Sequence, residues 1–237
     1  MKMHRTVLFL VGIAGLAGMP RLANAQARAG STDSSSSAAV TAAAPIDLTY
    51  IRPTEKTRLV NYAFDTFGPY PIAGAAIAAG INQFDNTPPE WQQTAQGYGK
   101  RFASDFGIAA VTTTTRYGLA RVFREDTLYY RCACRGVFPR LGHAVLSTFV
   151  ARRGNDGHSV FSFSALVAPY AGTMTAVYGW YPGRYGAKDA FRMGNYSMLG
   201  WVGGNVALEF IYSGPHSLLN RWHLNNGHGA QDPVSKP

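Results

Sequence analysis

The segment VFSFSALVAPYAGTMTAVYGWY, residues 160–181, contains no charged side chain. At about 20 residues, it is long enough for a helix that crosses a membrane or lies in the centre of a domain. Small residues recur at every fourth position and form one stripe along such a helix: Ser164, Ala168, Gly172 and Ala176. Because small side chains let a neighbouring backbone approach closely, the segment predicts a helix that packs tightly against another helix.

The sequence allows two environments for this helix, a membrane or the interior of a bundle. The aromatic residues at 178–181 precede Arg184 and Lys188, an order typical of a membrane–water interface. Thr173 and the mid-helix Pro169 weaken the apolar pattern, and close helix crossings also occur in water-soluble bundles. The sequence is therefore compatible with a membrane-embedded helix and with a soluble or peripheral bundle.

Outward from this segment, most of the chain has helical periodicity. The predicted helices cover residues 52–68, 71–81, 91–124, 139–153, 160–181 and 194–212. For the third helix we keep three alternatives: a break near Gly107, a break in the β-branched run from Thr112 to Thr115, or a strand in that run. The expected fold is all-α, a single bundle of five or six helices with Gly and Ala at the helix contacts.

The two ends of the chain differ in composition from the predicted helical region. Residues 1–25 have a basic start, an apolar core and a small-x-small site at Ala23-Asn24-Ala25, which predicts a secretory signal peptide. Residues 26–46 are rich in Ala, Ser, Thr and Gly and predict a disordered linker. We expect a helical domain over 47–215, a flexible tail over 216–237, and a location in the periplasm or cell envelope.

The chain is strongly basic, with a formal net charge of +9. Export argues against nucleic acid as a partner and favours anionic lipid or another envelope polyanion, although a solvated basic surface would have the same composition. Arginines concentrate between Arg116 and Arg153. Because the guanidinium group binds phosphate and carboxylate in a bidentate manner, we take three of them as anion-binding candidates: Arg131, Arg135 and Arg140.

The chain has two cysteines, Cys132 and Cys134, too few for a disulfide-stapled scaffold. In an oxidising compartment this close pair predicts a small, reducible disulfide. With His143 the pair also offers soft metal ligands, but no second cysteine pair completes a tetrahedral site. The tail histidines, His216, His223 and His228, are weaker candidates still. We therefore expect no metal and no cofactor.

Glu209 lies within the apolar run 206–211, where an unpaired carboxylate would be costly. The sequence favours a buried ion pair with one of the arginines. The alternative is a proton-transfer or ligand-binding group with a raised pKa, which makes Glu209 a catalytic candidate.

Gly157-His158, followed by an apolar segment, resembles a fragment of the type-2 phosphatidic acid phosphatase signature. In that family the histidine of a Pro-Ser-Gly-His turn helps to stabilise the transferring phosphoryl group. The resemblance implies a site around His158, Arg152 and Arg153. The proline and serine are replaced by Asn155 and Asp156, and no Lys-x6-Arg-Pro element or nucleophilic histidine accompanies them.

A broader resemblance covers most of residues 55–212. It is carried by these elements: Phe67-Gly68-Pro69, Ala79-Gly80-Ile81-Asn82-Gln83, Pro89-Glu90-Trp91, Gly97-Tyr98-Gly99-Lys100-Arg101 and Tyr129-Tyr130-Arg131. They are similar to a group of exported bacterial proteins of uncharacterised function, and this resemblance implies no activity. We expect a non-enzymatic, membrane-associated helical bundle of the envelope. The alternative is a divergent phosphatase-like enzyme that acts on phosphorylated or lipid substrates.

Overall fold

A computed structural model shows a mostly helical fold over the residues it describes, which are 50–211, 228, 230 and 231. The helices in chain order are α1 (Glu55–Phe67), α2 (Pro69–Phe84), a short 3-10 turn (Pro89–Trp91), α3 (Ala95–Phe123), α4 (Val137–Leu146), α5 (Phe163–Gly179) and α6 (Ala187–Ile211). The strands are β1 (Glu125–Asp126), β2 (Tyr130–Arg131), β3 (Val150–Arg153), β4 (His158–Phe161) and β5 (Ala230–Gln231). The predicted signal peptide and linker, with most of the predicted tail, lie outside the described residues.

The long helix α3 is continuous, so the predicted breaks near Gly107 and at 112–115 are absent from it, as is the alternative strand at 112–115. Thr94 caps its first turn by accepting a hydrogen bond from the Gly97 N–H at 3.1 Å. The β-branched run stays helical because tertiary contacts outweigh intrinsic propensity. Thr112 is buried, and Thr114 Oγ1 donates to the Ala110 carbonyl at 2.8 Å.

Helix α5 packs against α3 and α6, and both contacts are close at a glycine. A Cβ atom added to Gly172 of α5 would lie 2.7 Å from the Ile108 carbonyl of α3. A Cβ atom on Gly194 of α6 would lie 2.8 Å from Tyr170 Cε1 of α5. Neither position has room for a side chain unless the helices shift apart.

The predicted helix over 139–153 is wrong in its second half. Helix α4 ends at Leu146, and β3 then pairs antiparallel with β4, with Ala151 opposite Val160. The turn between the strands uses Gly154 and Gly157 at φ +77° and +67°, a conformation that glycine adopts without strain. The helix predicted from 160 therefore begins only at Phe163, where the Ser162 hydroxyl accepts from the Ala165 N–H at 3.1 Å.

The β3–β4 hairpin is part of a three-stranded sheet, β1–β3–β4, which departs from the expected all-α fold. Its register places Glu125 opposite Arg153 and Asp126 opposite Arg152. A separate parallel pair joins β2 to β5, with Tyr130 opposite Ala230. The described part of the predicted tail is thus paired with a strand of the body.

The apolar segment 160–181 is divided between β4 and the 17-residue helix α5. Across the part of the chain that the structure describes, every helix falls short of the length and apolar character needed to cross a membrane.

Candidate functional site

The turn between β2 and α4 contains the two cysteines and borders an open groove of about 540 Å³. The groove is lined by Arg131, Cys132, Ala133, Cys134, Gly136, Val137 and Arg140. Cys132 and Cys134 are joined by a disulfide. Cys132 is half-buried and Cys134 is exposed, and the Cys134 N–H donates to Cys132 Sγ at 3.1 Å. The two sulfurs therefore lie in different environments.

Glu209 of α6 lies under this turn and is fully buried. Its carboxylate accepts hydrogen bonds from Arg140 Nε at 2.8 Å, Tyr129 OH at 2.7 Å and the Cys132 N–H at 3.1 Å. Arg140 also donates to the Glu209 backbone carbonyl. The predicted ion pair between Glu209 and an arginine is confirmed. A charged donor and two neutral donors together compensate the buried carboxylate.

Tyr129 connects this network to a second buried carboxylate. Burial raises the pKa of its phenol, and the hydrogen bond to Glu209 adds to the increase. The backbone N–H of Tyr129 donates to His228 Nδ1 at 3.2 Å. Since Nδ1 accepts, the ring proton is on Nε2, which donates to Asp65 at 3.0 Å. Both ring nitrogens of His228 are therefore engaged in contacts within the protein.

The Asp65 carboxylate accepts hydrogen bonds from two side chains, Tyr117 and His228. Tyr117 OH donates to it at 2.6 Å, in addition to the His228 contact. Burial alone would raise the pKa of Asp65, but the interactions with His228 and Tyr117 hold it below its usual value. His216 and His223 lie outside the described residues. Within the described residues, no cluster of three His, Cys, Asp or Glu side chains has the arrangement of a metal site.

Arg152 belongs to a different cluster, centred on Asp126. Its Nη1 donates to the Gly157 carbonyl at 2.8 Å, and its guanidinium lies over the rings of Tyr50 and Tyr130. Both tyrosine hydroxyls donate to Asp126 Oδ2, at 3.0 and 2.7 Å. Burial, followed by the charge of Asp126, raises the pKa of both phenols. This cluster ties the hairpin to β1 and β2.

Arg153 pairs with the other carboxylate of β1. Its Nη2 lies 3.2 Å from Glu125 Oε1, and Glu125 also accepts from the hydroxyls of Ser162 and Ser164. Consecutive strand residues point to opposite faces, so Arg153 reaches Glu125 whereas Arg152 lies among the tyrosines around Asp126.

His158 is exposed on β4, and its Nδ1 lies 2.9 Å from Asp156 Oδ1. The hydrogen bond from His158 lowers the pKa of Asp156. The four catalytic candidates are therefore distributed over different contacts. Glu209 joins the cysteine turn, and Arg152 contacts Gly157 and two tyrosine rings. Arg153 pairs with Glu125 and lies opposite the exposed His158 in the β3–β4 register.

The anion-binding candidates, in contrast, gather at the cysteine turn. Arg131 and Arg140 line the groove, and Arg135 is exposed directly after Cys134. Glu209 balances the charge of Arg140.

Sequence reasoning missed several side chains that build these clusters. Glu125 and Asp126 were visible as the acidic residues that oppose the arginine-rich segment, and Tyr129-Tyr130 was visible as part of a family element. Their positions at the centre of buried networks were not predicted. His228 was noted only as a weak metal-ligand candidate, and its contacts were not predicted, because they lie 99 and 163 positions away along the chain.

A further buried charge, Arg101 of α3, holds the loop that precedes this helix. Its guanidinium donates to Gln83 Oε1 at 2.6 Å, to the Gln92 carbonyl at 2.7 Å and to the Pro88 carbonyl at 2.8 Å. Gly97 lies close to the same group, since an added Cβ would be 2.9 Å from Arg101 Nη1. Arg101 thus joins the end of α2, the loop after it and the first turn of α3 at one packing centre.

Two exposed helix surfaces complete the description. The first, the α6 face, consists of Lys188, Phe191, Arg192, Tyr196 and Leu199. Its apolar members are 54%, 66% and 64% exposed, for Phe191, Tyr196 and Leu199. The helical period places these five side chains on one side of α6. The second, the α2 face, consists of Ile77, Ile81 and Phe84, each more than half exposed, on a helix without charged residues.

In comparisons with known proteins, neither a family model nor a curated protein nor a solved structure matches this chain. The two resemblances seen in the sequence therefore stay predictions.

Proposed function

We propose that this chain is an exported envelope protein that binds the surface of an anionic membrane through the α6 face and has no enzymatic role. The observation that carries the proposal is the composition of this face. Lys188 and Arg192 lie beside exposed Phe191, Tyr196 and Leu199 on a single side of one helix. Arg192 also forms a surface ion pair with Asp189 at 3.3 Å, which anionic headgroups would compete for.

A face of this kind matches the physical requirements of the membrane interface. Aromatic and aliphatic side chains enter the boundary between headgroups and acyl chains, while Lys and Arg reach anionic headgroups with their flexible stems. Each cation near an anionic surface contributes about 1 kcal/mol, and the basic net charge of the chain acts in the same direction. The α2 face has comparable apolar exposure but no cation of its own, which makes α6 the better candidate.

We also propose that the helices form a bundle in which the small-residue stripe of α5 permits close packing. Ser164, Ala168, Gly172 and Ala176 are all buried, and Gly172 has no room for a side chain beside α3. In this arrangement α5 lies inside the bundle, and the α6 face remains exposed for contact with a membrane.

Export is proposed from the leader pattern at residues 1–25. An oxidising compartment is also the environment in which a disulfide such as Cys132–Cys134 persists. The phosphatase-like alternative has less support. Arg153 and His158 lie opposite each other in the hairpin, but they are engaged by Glu125 and Asp156. Arg152 donates to the Gly157 carbonyl. Hydrolysis of a phosphate ester that is lost in a folded His158→Ala variant would favour that alternative.

The proposal is tested by fractionating cells that export the full chain. We expect the protein to sediment with membranes at low salt and to be partly released by a high-salt wash, because the attraction between exposed charges is screened. The double variant Phe191→Ser with Leu199→Ser should move to the soluble fraction. The matched control, Ile77→Ser with Ile81→Ser on the α2 face, should stay with the membranes. Membrane retention of the α6 variant would refute the assignment.

A further inference from the structure

The Cys132–Cys134 disulfide encloses a single residue, Ala133. A disulfide stabilises a fold mainly by restricting the unfolded chain, and this effect is smallest for the shortest loops. The buried network below the turn already fixes its backbone, because the Cys132 N–H donates to Glu209. A purely structural role therefore explains little about the presence of this pair.

The two sulfurs are arranged unequally. Cys134 is exposed and accessible to an incoming group, whereas Cys132 is half-buried and its backbone is held by Glu209. The Cys134 N–H donates to Cys132 Sγ, and this contact would stabilise negative charge on that sulfur. Three arginines surround the turn, Arg131, Arg135 and Arg140, against the one carboxylate of Glu209, so the formal charge of these four side chains is positive. Thiolates that react in proteins occupy partly exposed, electropositive environments of this kind.

We propose that Cys132–Cys134 is a thiol–disulfide exchange centre that oxidises dithiols in exported polypeptides, with Cys134 as the attacked sulfur. The first substrate thiolate attacks Cys134 Sγ and forms a mixed disulfide. The bond between Cys134 Sγ and Cys132 Sγ breaks, and its electron pair leaves on Cys132 as a thiolate. The backbone N–H of Cys134 stabilises this leaving group, and a stabilised leaving thiolate departs faster.

The second substrate thiolate then attacks the substrate sulfur of the mixed disulfide and releases Cys134 as a thiolate. The substrate has lost two electrons and two protons and contains a disulfide, and the cysteine pair has gained two electrons. The protons of the substrate thiols pass through water to the two cysteine sulfurs. Each protein molecule oxidises one dithiol, and a further cycle requires an external disulfide such as oxidised glutathione.

The unequal roles of the sulfurs are tested with two single variants of the full chain without its leader. Cys132→Ser keeps the exposed Cys134 and lacks the resolving sulfur, whereas Cys134→Ser keeps only the half-buried Cys132. Each variant is incubated with oxidised glutathione, quenched by alkylation and analysed by mass spectrometry. We expect Cys132→Ser to trap more than about tenfold more mixed disulfide. Equal trapping, or more trapping by Cys134→Ser, would overturn the proposal.

The reaction itself is tested on the unmodified protein with a synthetic peptide that contains two cysteines. We expect one peptide disulfide to form for each protein molecule, with matching reduction of Cys132 and Cys134 and an unchanged circular dichroism spectrum. A pair that stays oxidised in the presence of excess dithiol peptide would contradict the proposal. Both experiments are carried out without lipid, so their outcome is independent of membrane binding.

Discussion

The Glu209 carboxylate accepts hydrogen bonds from the cysteine turn, from Tyr129 and from Arg140, and so connects all three. A fully buried carboxylate is tolerated because Arg140 supplies a counter-charge and two neutral donors satisfy its remaining oxygen lone pairs. Removing Arg140 should therefore destabilise the fold more than removing Glu209. Arg140 is partly accessible to water, so its charge can be solvated, whereas the buried Glu209 carboxylate cannot.

We predict that Arg140→Met lowers the free energy of unfolding by about 3 kcal/mol, because it leaves a buried carboxylate without its charged partner. Glu209→Gln should cost less, and Arg135→Met, which removes an exposed arginine of the same loop, should change stability by less than about 0.5 kcal/mol. Urea denaturation measures all three. Equal effects of Arg140→Met and Arg135→Met would disprove the structural role of the ion pair.

Asp105 of α3 offers a prediction about pH. Burial raises its pKa to about 6, although a hydrogen bond from Asn82 Nδ2 at 3.1 Å and the charge of Arg101 act in the opposite direction. The folded state therefore binds this proton more tightly than the unfolded state does. The contribution of Asp105 to stability falls as pH rises from about 4 to about 6 and is constant above that range.

We therefore predict that Asp105→Asn stabilises the protein at pH 7.5 by about 1–3 kcal/mol relative to the unmodified chain. The asparagine keeps a carbonyl oxygen that can accept from Asn82 and removes the buried charge. The gain should shrink below pH 6 and disappear near pH 4. Thermal denaturation across this range gives the difference, and a gain that does not change with pH would contradict the prediction.

At the residue scale, the ion pair of Glu209 was predictable because a lone carboxylate in an apolar run needs a partner. The identity of that partner was not predictable, since Arg140 lies 69 positions away and the segment contains many arginines. The same applies to His228, whose environment is created entirely by distant residues. Sequence periodicity contains no information on such long-range contacts.

At the scale of elements, the hairpin of β3 and β4 shows where local periodicity misleads. The helix predicted over residues 139–153 is confirmed as far as Leu146, where α4 ends. Beyond it, β3 pairs with β1, Arg153 reaches the Glu125 carboxylate, and the two glycines of the turn reverse the chain. These tertiary pairings outweigh the helical preference of the segment. The opposite case is Thr112, whose buried position against α5 keeps a β-branched run helical.

The contact between α3 and α5 gives a prediction with an internal control. Gly172→Ala should destabilise the fold by about 1–3 kcal/mol, because the new methyl group meets the Ile108 carbonyl and the Thr112 side chain. Gly118→Ala, in a helical position of α3 with open space around it, should stabilise by about 0.5–1 kcal/mol. Urea denaturation measures both. A stabilising Gly172→Ala substitution would show that the helices are not in close contact.

For the whole molecule, the mostly helical fold followed from the helical periodicity that covers most of the body. The short strands did not follow, because two- and four-residue strands are too short for a recognisable alternation. The apolar segment 160–181 pointed to a helix, and its central part is helix α5. The exposed side chains of α6 became recognisable as one face only once the burial of each residue was known.

Flotation of the leader-free chain with lipid vesicles tests the proposed membrane binding most directly. We predict that the protein floats with vesicles that contain phosphatidylglycerol, floats weakly with pure phosphatidylcholine, and binds less as salt increases. Phe191→Ser with Leu199→Ser should abolish flotation, whereas the α2-face control, Ile77→Ser with Ile81→Ser, should float like the unmodified protein. Failure of the unmodified protein to float with anionic vesicles would contradict the proposal. So would flotation that the α2 substitutions abolish and the α6 substitutions leave intact.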